Sequence, residues 1–150
     1  MVIEMPIYTK AGLPVNGILR KEKIQILEEL ENANSIDKND KILEVAILNL
    51  MPLKEDTELQ LLRKLSTSGK SIKITFVKVS SYISKTTAPE HMQRFYSTFE
   101  EIKNKYFDGL IITGAPVEQM EFEEVDYWKE LEKIMEWSET HAKSTLHICW

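Results

Sequence analysis

The sequence has few of the residues that build disulfide-rich, collagen-like or low-complexity proteins. Of its 150 residues, one is cysteine, five are glycine and five are proline. A single cysteine excludes an intrachain disulfide, and so little glycine and proline excludes collagen-like and low-complexity chains. Hydrophobic residues make up 43% of the chain, an ordinary globular share that predicts about one domain at this length.

Long apolar segments and an excess of positive charge are also missing. The longest uninterrupted apolar run, 45–48, is much too short to cross a membrane, and residues 1–10 lack the apolar core of a secretory signal. A net charge of −5 gives no general attraction to nucleic acid or anionic lipid. The three histidines lack the spacing of metal ligands. These absences predict a cytoplasmic protein that binds no nucleic acid, membrane or metal.

What is present is an alternation of strand-like and helix-like segments. Residues 1–16 predict an irregular arm, and Asn16 would cap a helix over 17–31. Nearly continuous apolar runs, or alternation with β-branched residues, predict strands over 41–50, 71–80, 107–113 and 144–150. Spaced apolar side chains predict helices over 55–65, 89–104 and 125–139. This order predicts an α/β domain, a parallel sheet with helices on both faces.

The carboxyl ends of the predicted strands are where a functional site is expected. In open α/β sheets the ligand crevice lies beyond these ends. The segments that qualify are 49–54, 80–85, 113–118 and Cys149 itself.

Cys149 ends the last predicted strand. A nucleophile at a sharp strand-to-helix turn is exposed beside backbone N–H groups, which lower a thiol pKa and can hold an oxyanion. A free cysteine is also a common core residue. Spacing alone leaves these two interpretations open.

Lys54 and the string TGAPVE also have two interpretations each. Lys54 follows a strand in NLMPLK, at the start of a helix whose dipole mildly disfavours a cation, so it is either a solvated lysine or a ligand-facing one. The small residues of TGAPVE allow close approach of a ligand to the backbone, or they form an ordinary β–α turn. The string is not a glycine fingerprint for phosphate.

Four longer strings carry a more specific signal: AILNLMPLKEDTELQLLRKLS, SKTTAPEHMQRFY, FDGLIITGAPVEQMEFEEVDYWKEL and WSETHAKSTLHICW. Together they resemble the N-terminal half of the MetA-type homoserine O-acyltransferases, most specifically over 46–150. The resemblance implies a flavodoxin-like parallel sheet, similar to class I glutamine amidotransferases, with a cysteine at the nucleophile turn. It also implies transfer of an acyl group from acyl-CoA to the hydroxyl of L-homoserine, in methionine biosynthesis.

The resemblance implies roles for individual residues. Cys149, in HICW, matches the family nucleophile that carries the acyl group as a thioester. Lys54 matches the lysine thought to polarise the acyl carbonyl. By analogy with the fold, the oxyanion donors are the backbone N–H of Trp150 and one near Gly114 or Ala115.

Glu118 matches the position that separates acyl donors in the family, where glycine goes with succinyl-CoA and glutamate with acetyl-CoA. A carboxylate there would repel the second carboxylate of a succinyl group, whereas an acetyl group is small and neutral. The resemblance therefore predicts a homoserine O-acetyltransferase with L-homoserine and acetyl-CoA as substrates and no bound cofactor. A succinyltransferase of the same fold and a non-catalytic α/β binding domain are the alternatives.

The family's base, a histidine paired with a glutamate, and its homoserine-binding residues lie downstream of the cysteine. Residues 1–150 are therefore expected to be the N-terminal part of a single α/β acyltransferase domain, truncated after the nucleophile strand and inactive alone. A homodimer is compatible with the sequence.

Overall fold

Short aliphatic and β-branched runs form the central sheet of the molecule. The computed structural model describes residues 5–29, 41–117 and 119–149, and the strands within these ranges make one seven-stranded sheet. They are β1 (Ile7–Lys10), β2 (Ile26–Glu29), β3 (Leu43–Leu48), β4 (Ile72–Lys78), β5 (Tyr96–Thr98), β6 (Phe107–Ile112) and β7 (Ala142–His147). Their order is β2-β1-β4-β3-β6-β7, with β5 beside the carboxyl end of β4. All pairings are parallel, which confirms the predicted flavodoxin-like sheet.

Helices cover both faces of the sheet, as predicted. They are α1 (Val15–Lys21), α2 (Lys54–Ser66), α3 (Pro89–Phe95), α4 (Phe99–Ile102) and α5 (Trp128–His141). Leu19, Leu62 and Phe95 of the first three helices pack in one cluster with Ile47 of β3. Residues of α4 and α5 pack in a second cluster with Leu48, the next residue of the same strand. Because successive strand residues point to opposite faces, the continuous apolar run of β3 fills both clusters.

The N-terminal region differs from the predicted irregular arm and long helix. Ile7–Lys10 form β1, which lies between β2 and β4 in the sheet. The helix begins at Val15, so Asn16 lies inside it and does not cap it. The Asn16 side chain is buried and accepts a hydrogen bond from Thr9 Oγ1 at 2.9 Å.

The helix predicted over 17–31 ends early, at Lys21, because the backbone turns there. Lys23 has a φ of 66°, in the left-handed region. The N–H of Lys23 bonds to the carbonyl of Arg20, and the N–H of Ile24 bonds to that of Leu19. This paired pattern is a Schellman helix end, which glycine usually forms. With lysine in that place the sequence carries no stop signal, and β2 follows where more helix was predicted.

The helix predicted over 89–104 is interrupted by a strand. Tyr96 adopts an extended backbone, and β5 pairs in parallel with residues Phe76–Lys78 of β4. Thr98 then caps α4, since its hydroxyl accepts the Glu101 N–H while the Glu101 carboxylate bonds back to Thr98. Threonine followed three residues later by glutamate is the capping-box signature, so the sequence did contain the signal for this second start.

The last strand also has different bounds from the predicted 144–150. It begins at Ala142 and ends at His147, so Cys149 lies just beyond it. On this strand Leu146 is largely exposed. Among the described residues, none of the helices has both the length and the apolar character needed to span a membrane.

Candidate active site

The loops after β3, β4 and β6 meet at the carboxyl edge of the sheet and enclose two adjoining clefts. One cleft, of about 220 Å³, lies between Leu50, Tyr82 and Val117, one residue from each of the three loops. The other, of about 300 Å³, lies between the loop after β4 and the start of α3. Lys54 lines both clefts. The structure therefore brings together three of the four segments that the sequence singled out.

Cys149, the fourth, lies at a sharp turn after β7. The Ile148 N–H still bonds to the Ile112 carbonyl at 2.9 Å, so the strand pairing continues up to the residue before the cysteine. Cys149 itself has a φ of 65°, and its side chain is exposed. A non-glycine residue in this region is strained, and such strain is concentrated at functional sites. In the described structure Cys149 is therefore not a core residue, and its role as a nucleophile stays a prediction.

Gly114 lies directly against Cys149. A Cβ atom built on Gly114 would be 3.4 Å from the Cys149 Cβ and 3.7 Å from its Sγ. A larger side chain at position 114 would therefore fill the space beside the thiol. Ala115 is half-buried, and its carbonyl accepts the Val117 N–H at 2.8 Å. Glu118 and Trp150 lie outside the described residues, so their predicted roles have no structural description.

Lys54 is not a solvated lysine, the first of its two predicted interpretations, because its side chain is only 7% exposed. It is the first residue of α2, and its Nζ donates to the carbonyls of Asn49 at 2.8 Å and Met51 at 2.6 Å. Burial lowers the pKa of Lys54 to about 8, against the opposing effect of the Glu58 charge. The lysine therefore holds a cation in a poorly solvated place beside both clefts.

Lys54 and Cys149 follow strands that are two positions apart in the sheet. β6 separates β3 from β7, which places these strands about 10 Å apart. Within the described residues no hydrogen bond joins Lys54 to Cys149. A ligand that contacts both side chains would span the loop after β6.

A buried polar network lies behind Lys54, and sequence reasoning missed it. Glu58 is 0% exposed, and its Oε2 accepts hydrogen bonds from Tyr96 Oη at 2.6 Å and His91 Nε2 at 2.9 Å. Asn49 Nδ2 donates to the same Tyr96 oxygen at 2.8 Å. Burial raises the pKa of Glu58, while the bonds from Tyr96 and His91 act in the other direction. Burial, followed by the Glu58 charge, raises the pKa of Tyr96 far above its usual value.

The sequence held one signal for this network. Lys54, Glu58 and Leu62 are four residues apart on α2, so they share one face of the helix. Leu62 faces the core, and charged residues on a core-facing stripe are unusual. The sequence predicts Tyr96 within the helix over 89–104 and Asn49 at the end of the strand over 41–50, so neither pattern suggests a contact with Glu58.

The loop after β4 is fixed at both ends. At its start, the N–H groups of Ser80 and Ser81 bond to the Glu130 carboxylate at 2.8 and 3.0 Å. At its end, the hydroxyls of Thr86 and Thr87 donate to the Pro52 carbonyl. Between these ties Ile83 is 80% exposed. The loop thus forms a shared wall of both clefts, anchored to α5 on one side and to the Lys54 loop on the other.

No group of three or more His, Cys, Asp or Glu side chains able to hold a metal ion occurs among residues 5–29, 41–117 and 119–149.

Comparison with known proteins agrees with this arrangement. A family model described as homoserine O-succinyltransferase matches residues 6–150. The chain belongs to this family. The match confirms the resemblance read from the strings around Lys54 and Cys149.

Several similar proteins of this family are named homoserine O-acetyltransferase. The protein of Lachnoclostridium phytofermentans is 56% identical over 97% of this chain and 48% of its own length. That of Agathobacter rectalis is 55% identical over 97% of this chain and 46% of its own length. That of Streptococcus thermophilus is 53% identical over the same shares. The chain spans about half the length of the curated relatives it matches.

Proposed function

We propose that this chain carries the nucleophile of a homoserine O-acetyltransferase. The observation that carries the proposal is Cys149, an exposed thiol held at a φ of 65° just past the end of a parallel strand, with Gly114 against it. Membership of an acyltransferase family supports this role over that of a non-catalytic binding domain. The names of the relatives favour acetyl over succinyl as the group transferred.

The proposed reaction has two acyl transfers. The Cys149 thiolate attacks the thioester carbonyl of acetyl-CoA, the bond from this carbon to the CoA sulfur breaks, and CoA leaves as the thiol after taking up a proton. The hydroxyl of L-homoserine then loses its proton and attacks the acetyl-cysteine, which releases O-acetylhomoserine and the free thiol. Covalent catalysis of this kind needs a base for both proton transfers. We propose that this base comes from the part of the relatives that this chain does not span.

Lys54 would polarise the acyl carbonyl in the first transfer. An ammonium group has three N–H donors, and in the described structure two of them bond to the Asn49 and Met51 carbonyls. The third can donate to an acyl oxygen in the 220 Å³ cleft, which the loop after β6 also lines. Because the side chain is buried, a charge placed here interacts with the developing oxyanion more strongly than it would in water.

The backbone N–H groups proposed for the oxyanion are that of Trp150 and one at Gly114 or Ala115. The support for the second donor is the contact of Gly114 with Cys149, which places this stretch of backbone beside the thiol. The position of Trp150, directly after the nucleophile, matches the usual place of an oxyanion donor at such a turn.

Substitution of Glu118 tests the choice of acyl donor. The test protein is this chain joined at Trp150 to the C-terminal half of the L. phytofermentans relative, here called the completed enzyme. We expect Glu118→Gly to shift the ratio of kcat/KM for acetyl-CoA over succinyl-CoA toward succinyl-CoA by about tenfold or more, since a like-charge repulsion of 1.4 kcal/mol corresponds to tenfold.

The matched control is Glu123→Gly, which removes another glutamate five residues further along the chain. It should leave the donor ratio within about twofold of the parent, a difference well below 1 kcal/mol. A completed enzyme that prefers succinyl-CoA before any substitution would favour the succinyltransferase alternative, for which the description of the family model is the supporting observation. An unchanged ratio in Glu118→Gly would contradict the role of this residue.

A further inference from the structure

We propose that Tyr96, Glu58 and Asn49 act together as positioning residues for Lys54, an inference that rests on the proposed role of Lys54 at the acyl carbonyl. These three side chains do not reach the clefts as Lys54 does. Each is buried, and each is joined to the next by a hydrogen bond. The route runs from the Glu58 carboxylate through Tyr96 and Asn49 to the lysine.

The direction of the hydrogen bonds fixes the Asn49 side chain. Tyr96 donates its single hydroxyl proton to Glu58 Oε2 at 2.6 Å. The tyrosine oxygen is then an acceptor toward Asn49, and it can only be met by the amide nitrogen, at 2.8 Å. The Asn49 amide is thereby held in one of its two orientations, with its oxygen facing away from Tyr96.

This orientation shapes the loop that holds Lys54. Asn49 Oδ1 accepts the Met51 N–H at 3.2 Å, and Asn49 Nδ2 also reaches the Lys54 carbonyl at 3.3 Å. The side chain therefore braces the loop from within, between its first residue and the start of α2. The two carbonyls that receive the Lys54 ammonium belong to residues 49 and 51 of this same loop. If the amide turned over, both braces would be lost and the carbonyls would no longer converge on Nζ.

The cost of the arrangement supports a functional reason for it. Glu58 is fully buried, and its Oε1 has no hydrogen-bond partner within the described structure. A buried acceptor without a partner destabilises the fold by about 1–3 kcal/mol. An apolar side chain at this position on α2 would avoid that cost. Glu58 instead supplies a carboxylate oxygen that accepts the Tyr96 proton and so orients Tyr96. It also places a negative charge one helical turn from Lys54.

Other charged groups around Lys54 lie on α2, β4 and α3 and in two loops. Glu58 follows it on α2, and Lys78 at the end of β4 lines the 300 Å³ cleft. Lys85, in the loop after β4, and Asp126, in the loop before α5, line the 220 Å³ cleft. Glu55, Asp56 and His91 line a smaller cleft that Lys54 also borders. His91 Nδ1 is 3.5 Å from Glu55 Oε1, so the histidine links an exposed carboxylate to the buried one. Among these groups, the Glu58 charge raises the pKa of Lys54, against the larger effect of burial.

The first test is the titration of Lys54 in the protein itself, followed by NMR of its labelled ε-carbon. In Tyr96→Phe the Asn49 amide loses its acceptor, the loop loosens and Nζ becomes hydrated. The midpoint should then rise from about 8 toward the ordinary 10.5. In Glu58→Gln an acceptor for Tyr96 remains but the negative charge is lost, so the midpoint should fall. A midpoint that rises in Tyr96→Phe and falls in Glu58→Gln would distinguish the positioning effect of Tyr96 from the charge effect of Glu58. Tyr106→Phe, at an exposed tyrosine before β6, is the matched control and should not change the midpoint.

The second test is the rate of Cys149 acetylation in the completed enzyme. Tyr96→Phe should lower kcat about tenfold or more while the KM for acetyl-CoA stays within about twofold. The reason is that a mispositioned donor stabilises the transition state less without weakening the binding of acetyl-CoA. The alkaline limb of the pH profile should move to higher pH with the Lys54 midpoint. A purely structural role of Tyr96 would lower stability without moving that limb.

The outcomes distinguish this inference from the proposed function. A Lys54 midpoint that stays in place in both variants, with unchanged thermal melting, would overturn the positioning role. If the midpoints move as expected but the parent completed enzyme acetylates no cysteine, the positioning network stands and the acyltransferase proposal fails. If both variants raise the midpoint, general loosening of the fold explains the result and the inference is overturned.

Discussion

Replacing Cys149 by alanine is expected to abolish acetyl transfer in the completed enzyme, with kcat/KM falling by at least about a thousandfold. In the proposed reaction the thiol forms the bond to the acetyl group, so no part of the covalent route would survive without it, and losses of this size follow removal of a nucleophile. The measurement is release of CoA in the presence and absence of L-homoserine. Turnover above one-tenth of the parent rate would contradict the assignment.

A stability comparison at the same position separates the chemistry from the fold. Cys149 is exposed, so alanine there should change the free energy of unfolding little. Glycine should make the protein more stable than alanine by about 1 kcal/mol, since a φ of 65° is strained for any residue with a Cβ atom. Equal stability of the two variants, measured by chemical denaturation, would show that the turn relaxes and is not held by the fold.

Loss of the Lys54 charge is the second large effect. Lys54→Met should lower the rate of Cys149 acetylation by about a hundredfold, the usual consequence of removing one oxyanion donor. In the parent the rate should fall as the pH rises through about 8, because the ammonium form is then lost. The pH profile of the methionine variant should lack this fall. An alkaline limb that persists in Lys54→Met would assign it to another group.

The same lysine should make folding stability depend on pH. Its folded-state pKa of about 8 lies below the ordinary value of 10.5, so between these two values the unfolded chain binds more protons than the folded one. The free energy of unfolding should therefore rise with pH across this window, by up to about 3 kcal/mol in total. Lys54→Met should remove the rise, and Lys64→Met, at an exposed lysine of the same helix, should keep it. A rise that survives in Lys54→Met would contradict the burial of this charge.

The central part of the fold could be predicted because its signals are local. The apolar run of β3, the alternation of β4 and the leucine spacing of α2 each follow from one segment of sequence. The parallel class follows from their alternation.

The parts that were predicted wrongly depend on contacts distant in sequence or on an unusual residue. β5 is a three-residue strand whose extended backbone follows from pairing with the end of β4, an edge whose other end pairs with β1. The α1 helix stops at a left-handed lysine where a glycine would have given the signal.

The site divides in the same way. The positions of Cys149 and Lys54 at strand ends could be predicted, because the carboxyl edge of a parallel sheet is defined by the strands themselves. That Lys54 is buried, and that it is braced through Asn49, Tyr96 and Glu58, could not be predicted. Those residues come from three separate elements, and their contact exists only once α3 and β5 pack beside α2.

The most direct test of the acyl-transfer role is to look for the acetyl group on Cys149. The completed enzyme is incubated with acetyl-CoA without L-homoserine, digested and examined by mass spectrometry. We predict an acetyl group on the peptide that contains Cys149, removed by hydroxylamine as a thioester would be and lost when L-homoserine is added before digestion. An enzyme that turns over acetyl-CoA and L-homoserine yet never carries acetyl on Cys149 would contradict the proposal.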